Sequence, residues 1–105
     1  MKTLRDYLAW AKEKQVAIGH FNVSDSEGVK AVVEAATELG VPVVIGVSEG
    51  ERSFLGVAEI RAIVTAEQSK GLPVFLNGDH TYSIPAAEEA VENHFDSVII
   101  DGAEK

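Results

Sequence analysis

Four short apolar runs alternate with longer amphipathic segments along the 105-residue chain. The runs are rich in valine and isoleucine and occupy residues 16–21, 41–47, 72–76 and 97–100. Their apolar residues are nearly continuous, which is typical of strands that are covered on both faces in a parallel sheet. Strand starts recur roughly every 24 to 31 residues, the length of one β/α unit. The pattern therefore predicts an α/β fold with four parallel strands.

The segments between the runs have apolar residues at helical spacing. A further helix, predicted over residues 3–14, precedes the first strand. Boundary signals agree, because Gly40 follows the end of one helix, and Ser83 with Pro85 suits a cap with proline in the first turn. The predicted order is αβαβαβαβ in a single domain over residues 1–105. Four such units would form half of a (β/α)8 barrel, which normally takes about 250 residues; the pattern also permits a small doubly wound domain.

Charge and composition narrow the function classes. The 9 Lys and Arg against 17 Asp and Glu give a net charge of −8, which argues against nucleic-acid binding. The chain has no cysteine, so a metal would have to be held by histidines and carboxylates. No signal-peptide pattern opens the sequence, and no apolar run approaches the roughly 18–20 residues of a membrane helix. We therefore expect a cytoplasmic protein that binds neither nucleic acid nor membrane.

Polar residues concentrate where the predicted strands end, which is where parallel α/β folds carry their functional groups. The first, second and fourth runs end at Asn22, Ser48 and Asp101, and the third leads into Asp79-His80. A neutral imidazole is a common zinc ligand, and a nearby carboxylate can exchange protons with a substrate. Neighbouring residues of a regular strand point in opposite directions, so the pair can face one pocket only if the backbone bends there.

Each of these residues also has a purely structural interpretation. The Asp79-His80 pair could be a turn with a solvated histidine, Asn22 or Ser48 could cap the following helix, and Asp101 could be a turn residue. His20 shares strand parity with Asn22, but we favour a packed, hydrogen-bonded core residue over a metal ligand. His94 lies near the end of the last predicted helix, where we interpret it as structural.

Four segments in the same order resemble the class II, zinc-dependent fructose-bisphosphate aldolase family. They are GHFNV at 19–23, PVVIGVSEG at 42–50, PVFLNGDHTYS at 73–83 and FDSVIIDG at 95–102. The resemblance spans nearly the whole chain. It implies the N-terminal half of a TIM barrel, which is a (β/α)4 unit with an extra N-terminal helix and a parallel four-stranded sheet.

The resemblance also implies a reaction, namely reversible zinc-assisted cleavage of a ketose bisphosphate to dihydroxyacetone phosphate and an aldehyde. By position, it implies that Asp79 is the acid/base group, His80 a zinc ligand and Asp101 a carboxylate at an alternative metal position. Asn22 and Ser48 would contact the substrate. Sugar bisphosphates or triose phosphates would be the ligands, and a second metal or a monovalent cation is compatible with such a site.

A catalytic zinc normally has three protein ligands, and the family supplies two further histidines from later strands. A half barrel would also leave its first and fourth strands as open edges and its apolar inner face covered only by the leading helix. We therefore expect self-association, with two copies forming a homodimer that closes the barrel. Two hypotheses follow: an aldolase that is active once completed by a partner copy or by the missing half, or an inert structural half-barrel. A flavodoxin-like phosphate binder has less support, because no glycine-rich phosphate motif is present.

Overall fold

In the computed structural model, which describes residues 2–100, the chain forms five helices and four strands. The elements in chain order are α1 (Leu4–Lys14), β1 (Gly19–Asn22), α2 (Ser26–Leu39), β2 (Val43–Ser48), α3 (Glu49–Leu55), α4 (Val57–Gln68), β3 (Val74–Thr81), α5 (Ile84–Glu92) and β4 (Ser97–Ile100). None of these helices is long and apolar enough to cross a membrane.

The four strands form one parallel sheet in the order β1-β2-β3-β4. This confirms the predicted parallel sheet with a leading helix. The strand order follows the chain and never reverses, whereas a doubly wound sheet contains a reversal. The doubly wound alternative is therefore wrong. Because all four strands are parallel, their carboxyl ends lie at the same end of the sheet.

Alternation along the strands divides the apolar residues between two faces of the sheet. On the outer face, Val43, Ile45 and Val47 of β2 are buried in the main core with apolar residues of β3 and of helices α2, α4 and α5. This outer core includes Val29, Val33, Ile60, Val64, Leu76 and Ala90. On the inner face, Leu4 of α1 packs against Val44 and Phe75 in a separate, smaller cluster. Helix α1 therefore covers the part of the inner face that is nearest the start of the strands.

Beyond α1 the inner face is polar, so the prediction of an apolar inner face is wrong for this layer. The His20 Nε2 lies 3.0 Å from the Asn77 Nδ2, and the Ser97 hydroxyl donates a 2.7 Å hydrogen bond to the Asn77 Oδ1. Gly46 of β2 lies between β1 and β3, and the His20 ring reaches over it. The apolar runs are nearly continuous in sequence because the residues that face outward are aliphatic, while the polar residues of the inner face lie near the ends of the runs.

The connection between β2 and β3 contains two helices, whereas the predicted order αβαβαβαβ has one. Ser48 caps α3 through a capping box, in which its hydroxyl accepts from the Glu51 N–H and the Glu51 carboxylate accepts from the Ser48 N–H. Gly56 then separates α3 from α4 with a φ of 94°, a conformation that glycine adopts without strain. The positive φ breaks the helix at this point, and the single predicted helix becomes two.

Candidate active site

The strand β3 extends beyond the predicted run at 72–76 and includes the Asp79-His80 pair. Asp79 is buried and shares strand parity with Phe75 and Asn77, which places it on the inner face. The Asn22 Nδ2, at the end of β1, donates a 3.0 Å hydrogen bond to the Asp79 Oδ2. Two strand ends that are separated by β2 are therefore joined above the polar layer of the inner face.

An irregularity of the backbone brings His80 to the same side as Asp79. The pairing of β3 with β4 shifts register between Gly78 and Thr81, and His80 itself has a φ of 41°. The exposed imidazole places its Nε2 3.7 Å from the Asp79 Oδ2. This is the bend that two adjacent side chains require if they are to face one site.

Ser48 and Asp101 have different outcomes. Ser48 lies opposite Asp79 in the parallel register of β2 and β3, so it is at the same edge of the sheet. Its hydroxyl is the cap of α3, which is the structural interpretation considered for it, and the Glu51 of that cap also accepts a 3.1 Å hydrogen bond from the Ser24 hydroxyl. Asp101 lies outside the described residues. The structure thus brings Asn22, Asp79 and His80 together, with Ser48 beside them.

The two remaining histidines differ in how well the sequence predicted them. His20 is hydrogen-bonded to Asn77, as predicted, but its side chain is exposed, so the prediction that it is packed in the core is wrong. The reason is that its side chain crosses the open inner face above Gly46. His94 has a φ of 60° beyond α5, and its carbonyl accepts a 2.8 Å hydrogen bond from the Arg61 Nη1. The structural role of its imidazole stays a prediction.

Sequence reasoning missed Arg52, which lies in α3 and is only 3% exposed. Its Nη1 donates to the Val47 carbonyl at 2.8 Å and lies 3.4 Å from the Asp79 carbonyl, and its Nη2 donates to the Thr81 hydroxyl at 2.9 Å. A charged residue in a short polar segment is usually solvated, so a single sequence gives no signal of this burial.

It also missed Glu49, the first residue of α3. The Glu49 Oε1 accepts hydrogen bonds from the Tyr82 N–H at 3.1 Å and the Ser83 hydroxyl at 3.4 Å. This carboxylate therefore connects α3 to the loop that follows the Asp79-His80 pair. The capping-box spacing of Ser48 and Glu51 was the available signal that a helix begins here.

The described residues do not complete a zinc site. Within residues 2–100, no group of three or more histidines, cysteines, aspartates or glutamates lies close enough to hold a metal ion. His80 and Asp79 offer one imidazole and one carboxylate, whereas a catalytic zinc normally takes three protein ligands and keeps an open position. A complete zinc site would therefore need donors beyond those that residues 2–100 of one chain supply.

A parallel sheet in chain order, with helices packed on its outer face and polar residues at its strand ends, is the arrangement of part of a (β/α)8 barrel. A sequence profile of the family described as Fructose-bisphosphate aldolase class-II matches residues 2–105. The chain belongs to the class II fructose-bisphosphate aldolase family.

Individual relatives agree with this assignment. The chain is 35% identical over 106 residues to a probable fructose-bisphosphate aldolase of Bacillus subtilis, and 35% identical over 105 residues to the 6-phospho-5-dehydro-2-deoxy-D-gluconate aldolase of Bacillus licheniformis. Each match covers 96% of this chain, but only 37% and 36% of those proteins. The chain therefore spans little more than a third of the length of these curated relatives.

Solved structures show the same partial coverage. The YdjI aldolase from Escherichia coli K12 superimposes with a TM-score of 0.85 at 27% identity, covering 99% of this chain and 41% of that one. The fructose-bisphosphate aldolase from Campylobacter jejuni gives 0.83 at 25% identity, covering 97% and 37%. The similar structures are TIM-barrel aldolases, and this chain corresponds to part of such a barrel.

Proposed function

We propose that this chain supplies part of a class II aldolase active site, for reversible zinc-assisted cleavage of a ketose bisphosphate to dihydroxyacetone phosphate and an aldehyde. The observation that carries the proposal is the Asn22–Asp79–His80 cluster, at the strand ends of a chain that belongs to this family. Because the described residues hold too few metal donors, the proposed activity requires completion by a second copy or by further polypeptide.

Asp79 is the proposed acid/base group. The Asn22 amide holds its Oδ2 at 3.0 Å and so fixes the orientation of the carboxylate. A carboxylate held in this way can accept a proton from a substrate hydroxyl during cleavage and return it during condensation. The His80 imidazole is the proposed zinc ligand from this chain, and bound zinc would supply Lewis-acid polarisation of the substrate carbonyl.

Ser48 and Asp101 keep the roles that the family resemblance implies, as proposals. The Ser48 oxygen accepts a hydrogen bond from the Glu51 N–H, yet its O–H can still donate to a phosphate oxygen. The carboxylates of Glu49 and Glu51 lie in the same turn and would weaken such a contact by charge repulsion. Asp101 is the proposed carboxylate at an alternative position for the metal, or for a second metal or monovalent cation.

The proposed substrate class is a phosphorylated ketose, with fructose and tagatose bisphosphates as the first compounds to test. Relatives at equal identity carry different names, one a probable fructose-bisphosphate aldolase and the other a 6-phospho-5-dehydro-2-deoxy-D-gluconate aldolase. A phosphorylated substrate with a carbonyl beside the cleaved bond is common to both names. The aldol chemistry is therefore the part of the proposal that both relatives share.

A coupled assay for triose-phosphate release from fructose 1,6-bisphosphate tests this proposal on the purified chain. At concentrations where two copies associate, we expect slow release with zinc, none with EDTA, and a loss of at least about 100-fold in Asp79→Asn, since general acid–base catalysis contributes about 10²–10⁴-fold. Glu13→Gln, which removes a carboxylate from the exposed surface of α1, should retain the wild-type rate. Release that persists in EDTA or in Asp79→Asn would contradict the proposal.

Zinc binding can be measured separately by calorimetric titration. The wild-type chain should bind weakly, because His80 supplies one of the three protein ligands that a catalytic zinc normally has. His80→Ala should remove the binding heat, whereas His94→Ala should leave it unchanged because His94 lies beyond α5. Identical isotherms for wild type and His80→Ala would remove His80 from the proposed site.

A specific observation favours a second candidate, an inert half-barrel that associates with a second copy. The strands β1 and β4 are the two edges of the sheet. Phe21 at one edge and Ile100 at the other are 51% and 69% exposed, and each lines an apolar cleft with the neighbouring helix. A second copy would place β4 of one chain beside β1 of the other and close an eight-stranded ring.

A further inference from the structure

The irregular end of β3 rests on a buried guanidinium. The Arg52 side chain reaches from α3 to the outer face of the sheet, where it contacts the Val47 carbonyl of β2 and the Thr81 hydroxyl of β3. Its Nη1 also lies 3.4 Å from the Asp79 carbonyl. One planar group thus contacts the residues on either side of His80 and joins them to the end of β2.

His80 needs such support because its backbone conformation is uncommon. A non-glycine residue with a φ of 41° is in the left-handed region, which costs free energy that surrounding contacts must offset. Arg52 is suited to this task, since the guanidinium presents several N–H donors in a rigid fork. Its contacts to Asp79 and Thr81 flank the strained residue in sequence.

Gly78 gives a second, independent observation. A Cβ at Gly78 would lie 3.0 Å from the Arg52 Nη1 and 3.4 Å from the Phe95 Cδ2. The φ of Gly78 is not positive, so backbone conformation does not explain a glycine here. The missing side chain instead leaves the space that the guanidinium occupies.

The chemistry of this buried cation also points to positioning. Among the described residues, no carboxylate forms a salt bridge with Arg52, whose hydrogen-bond partners are carbonyl groups and a hydroxyl. Burial lowers the pKa of Arg52 below its usual value, and the charges of Glu49, Glu89 and Asp79 oppose that shift. A buried charge without a close counter-ion contributes little to stability, because its contacts only partly offset the free energy of desolvation. Stability alone therefore does not explain an arginine at this position.

We propose that Arg52 is a positioning residue, which holds the end of β3 in the conformation that brings the His80 imidazole beside the Asp79 carboxylate. The functional meaning of this inference rests on the roles proposed above for Asp79 and His80. The structural part of the inference, that Arg52 holds the end of β3, does not rest on those roles, because the position of His80 beside Asp79 can be measured without substrate, metal or turnover.

Nuclear magnetic resonance of the 105-residue chain tests the inference through two reporters, the ring Cε1–Hε1 resonance of His80 and the side-chain amide of Asn22. We expect Arg52→Met to shift both, because the end of β3 relaxes and the hydrogen bond from Asn22 to Asp79 changes with it. Arg52→Lys keeps a charged donor and should therefore give a smaller shift of both. The shift should still be measurable, because a single ammonium cannot span Val47 and Thr81 in the same way.

Two further variants make the test specific. Gly78→Ala should shift the same reporters with Arg52 present, because its Cβ displaces the guanidinium. Arg61→Met removes another hydrogen-bonded arginine, one that contacts the His94 carbonyl, and should leave both reporters unchanged.

The inference is overturned if Arg52→Met folds and both reporters keep their wild-type positions. If Arg52→Met does not fold, Arg52→Lys and Gly78→Ala decide in the same manner. Equal shifts in Arg61→Met would also overturn it, since they would reflect general loosening of the fold. Failure of the triose-phosphate assay alone would contradict the proposed function and leave this result standing.

Discussion

Gly46 shows how much the inner face depends on a single residue. His20 lies over this glycine, so that a Cβ at Gly46 would overlap its imidazole ring. The absent side chain lets His20 reach from β1 across β2, where its Nε2 lies 3.0 Å from the Asn77 Nδ2 of β3. The polar layer below the Asn22–Asp79 contact therefore exists because β2 has a glycine at this level.

Gly46→Ala should lower the free energy of unfolding by about 0.5–1.5 kcal/mol, because the exposed His20 ring must move aside and lose its hydrogen bond to Asn77. In a His20→Ala background the same substitution should cost much less, because the ring that it meets is gone. Urea unfolding of the four proteins in this double-mutant cycle measures the coupling.

Gly50→Ala is the matched control, because nothing lies within 4 Å of its added Cβ and the residue is in α3. It should stabilise the chain by about 0.5–1 kcal/mol through the higher helix propensity of alanine. An equal cost for Gly46→Ala in the presence and absence of His20 would contradict the steric account.

The site residues differ in how far the sequence could predict them. Asn22 and Asp79 follow from the position of strand ends, because chain order determines that parallel strands end at one edge. The sequence indicated that His80 can share a side with Asp79 only if the backbone bends, but the bend itself could not be predicted, since a φ of 41° is not encoded by propensity. The burial of Arg52 could not be predicted, because it arises from contacts with residues of β2 and β3 that lie 5 and 29 positions away in the sequence.

At the scale of elements, α1 is a helix whose start is well defined in sequence and structure alike. Thr3 and Asp6 form a capping box, in which the Thr3 N–H donates to the Asp6 Oδ2 at 2.8 Å and the Asp6 N–H donates to the Thr3 hydroxyl at 3.2 Å. The backbone hydrogen bond from Thr3, followed by that from its hydroxyl, lowers the pKa of Asp6 below the ordinary value of 3.8. This cap anchors the helix that covers Val44 and Phe75.

The stabilising effect of Asp6 should depend on pH. Because the pKa of Asp6 is lower in the folded chain, its contribution is fully present above 3.8 and is lost as the pH falls through the folded-state value. Wild type should therefore be more stable than Asp6→Asn near neutral pH, and the difference should shrink as the solution is acidified below 3.8.

Urea unfolding across this pH range measures the difference. Glu13→Gln, also in α1 but away from its capping box, should show no comparable advantage of the wild type at neutral pH. A difference between wild type and Asp6→Asn that stays constant down to the acid limit of folding would contradict the ionised cap.

The helix α3 is the element that the hydrophobic pattern did not predict. Its seven residues, EGERSFL, contain only two large apolar side chains, and Phe54 is 82% exposed. Seven residues are too few for a helical period to emerge, and isolated helices of this length are unstable. The helix forms because Ser48 caps its start, Gly56 permits its end and Arg52 anchors it to the sheet.

At the scale of the whole molecule, the sheet has two open edges. Apolar side chains are exposed at both edge strands, with Phe21 in β1 and Ile100 in β4. Two open parallel edges suit the proposed ring of two copies, in which each β1 pairs with the β4 of the other chain.

Sedimentation equilibrium at micromolar concentrations should show a reversible monomer–dimer equilibrium. Phe21→Lys and Ile100→Lys, at the two edges, should each shift the equilibrium towards monomer, because a charge would be buried at both copies of the seam. Phe54→Lys is a matched control, since this exposed side chain lies in α3 and away from both edge strands. A monomer at every concentration, or equal weakening by all three variants, would contradict closure by a second copy.

By itself, the sequence determined the parallel α/β class, the leading helix and the edge of the sheet where polar groups gather. These features depend on local hydrophobic period and on chain order, both of which can be read along one chain. The tertiary structure decided that Asp79 and His80 share a side, that α3 exists and that Arg52 is buried beneath the pair. It also decided that the inner face is polar at the level of Gly46. These outcomes depend on which residues meet across strands, where contacts distant in sequence outweigh local preference.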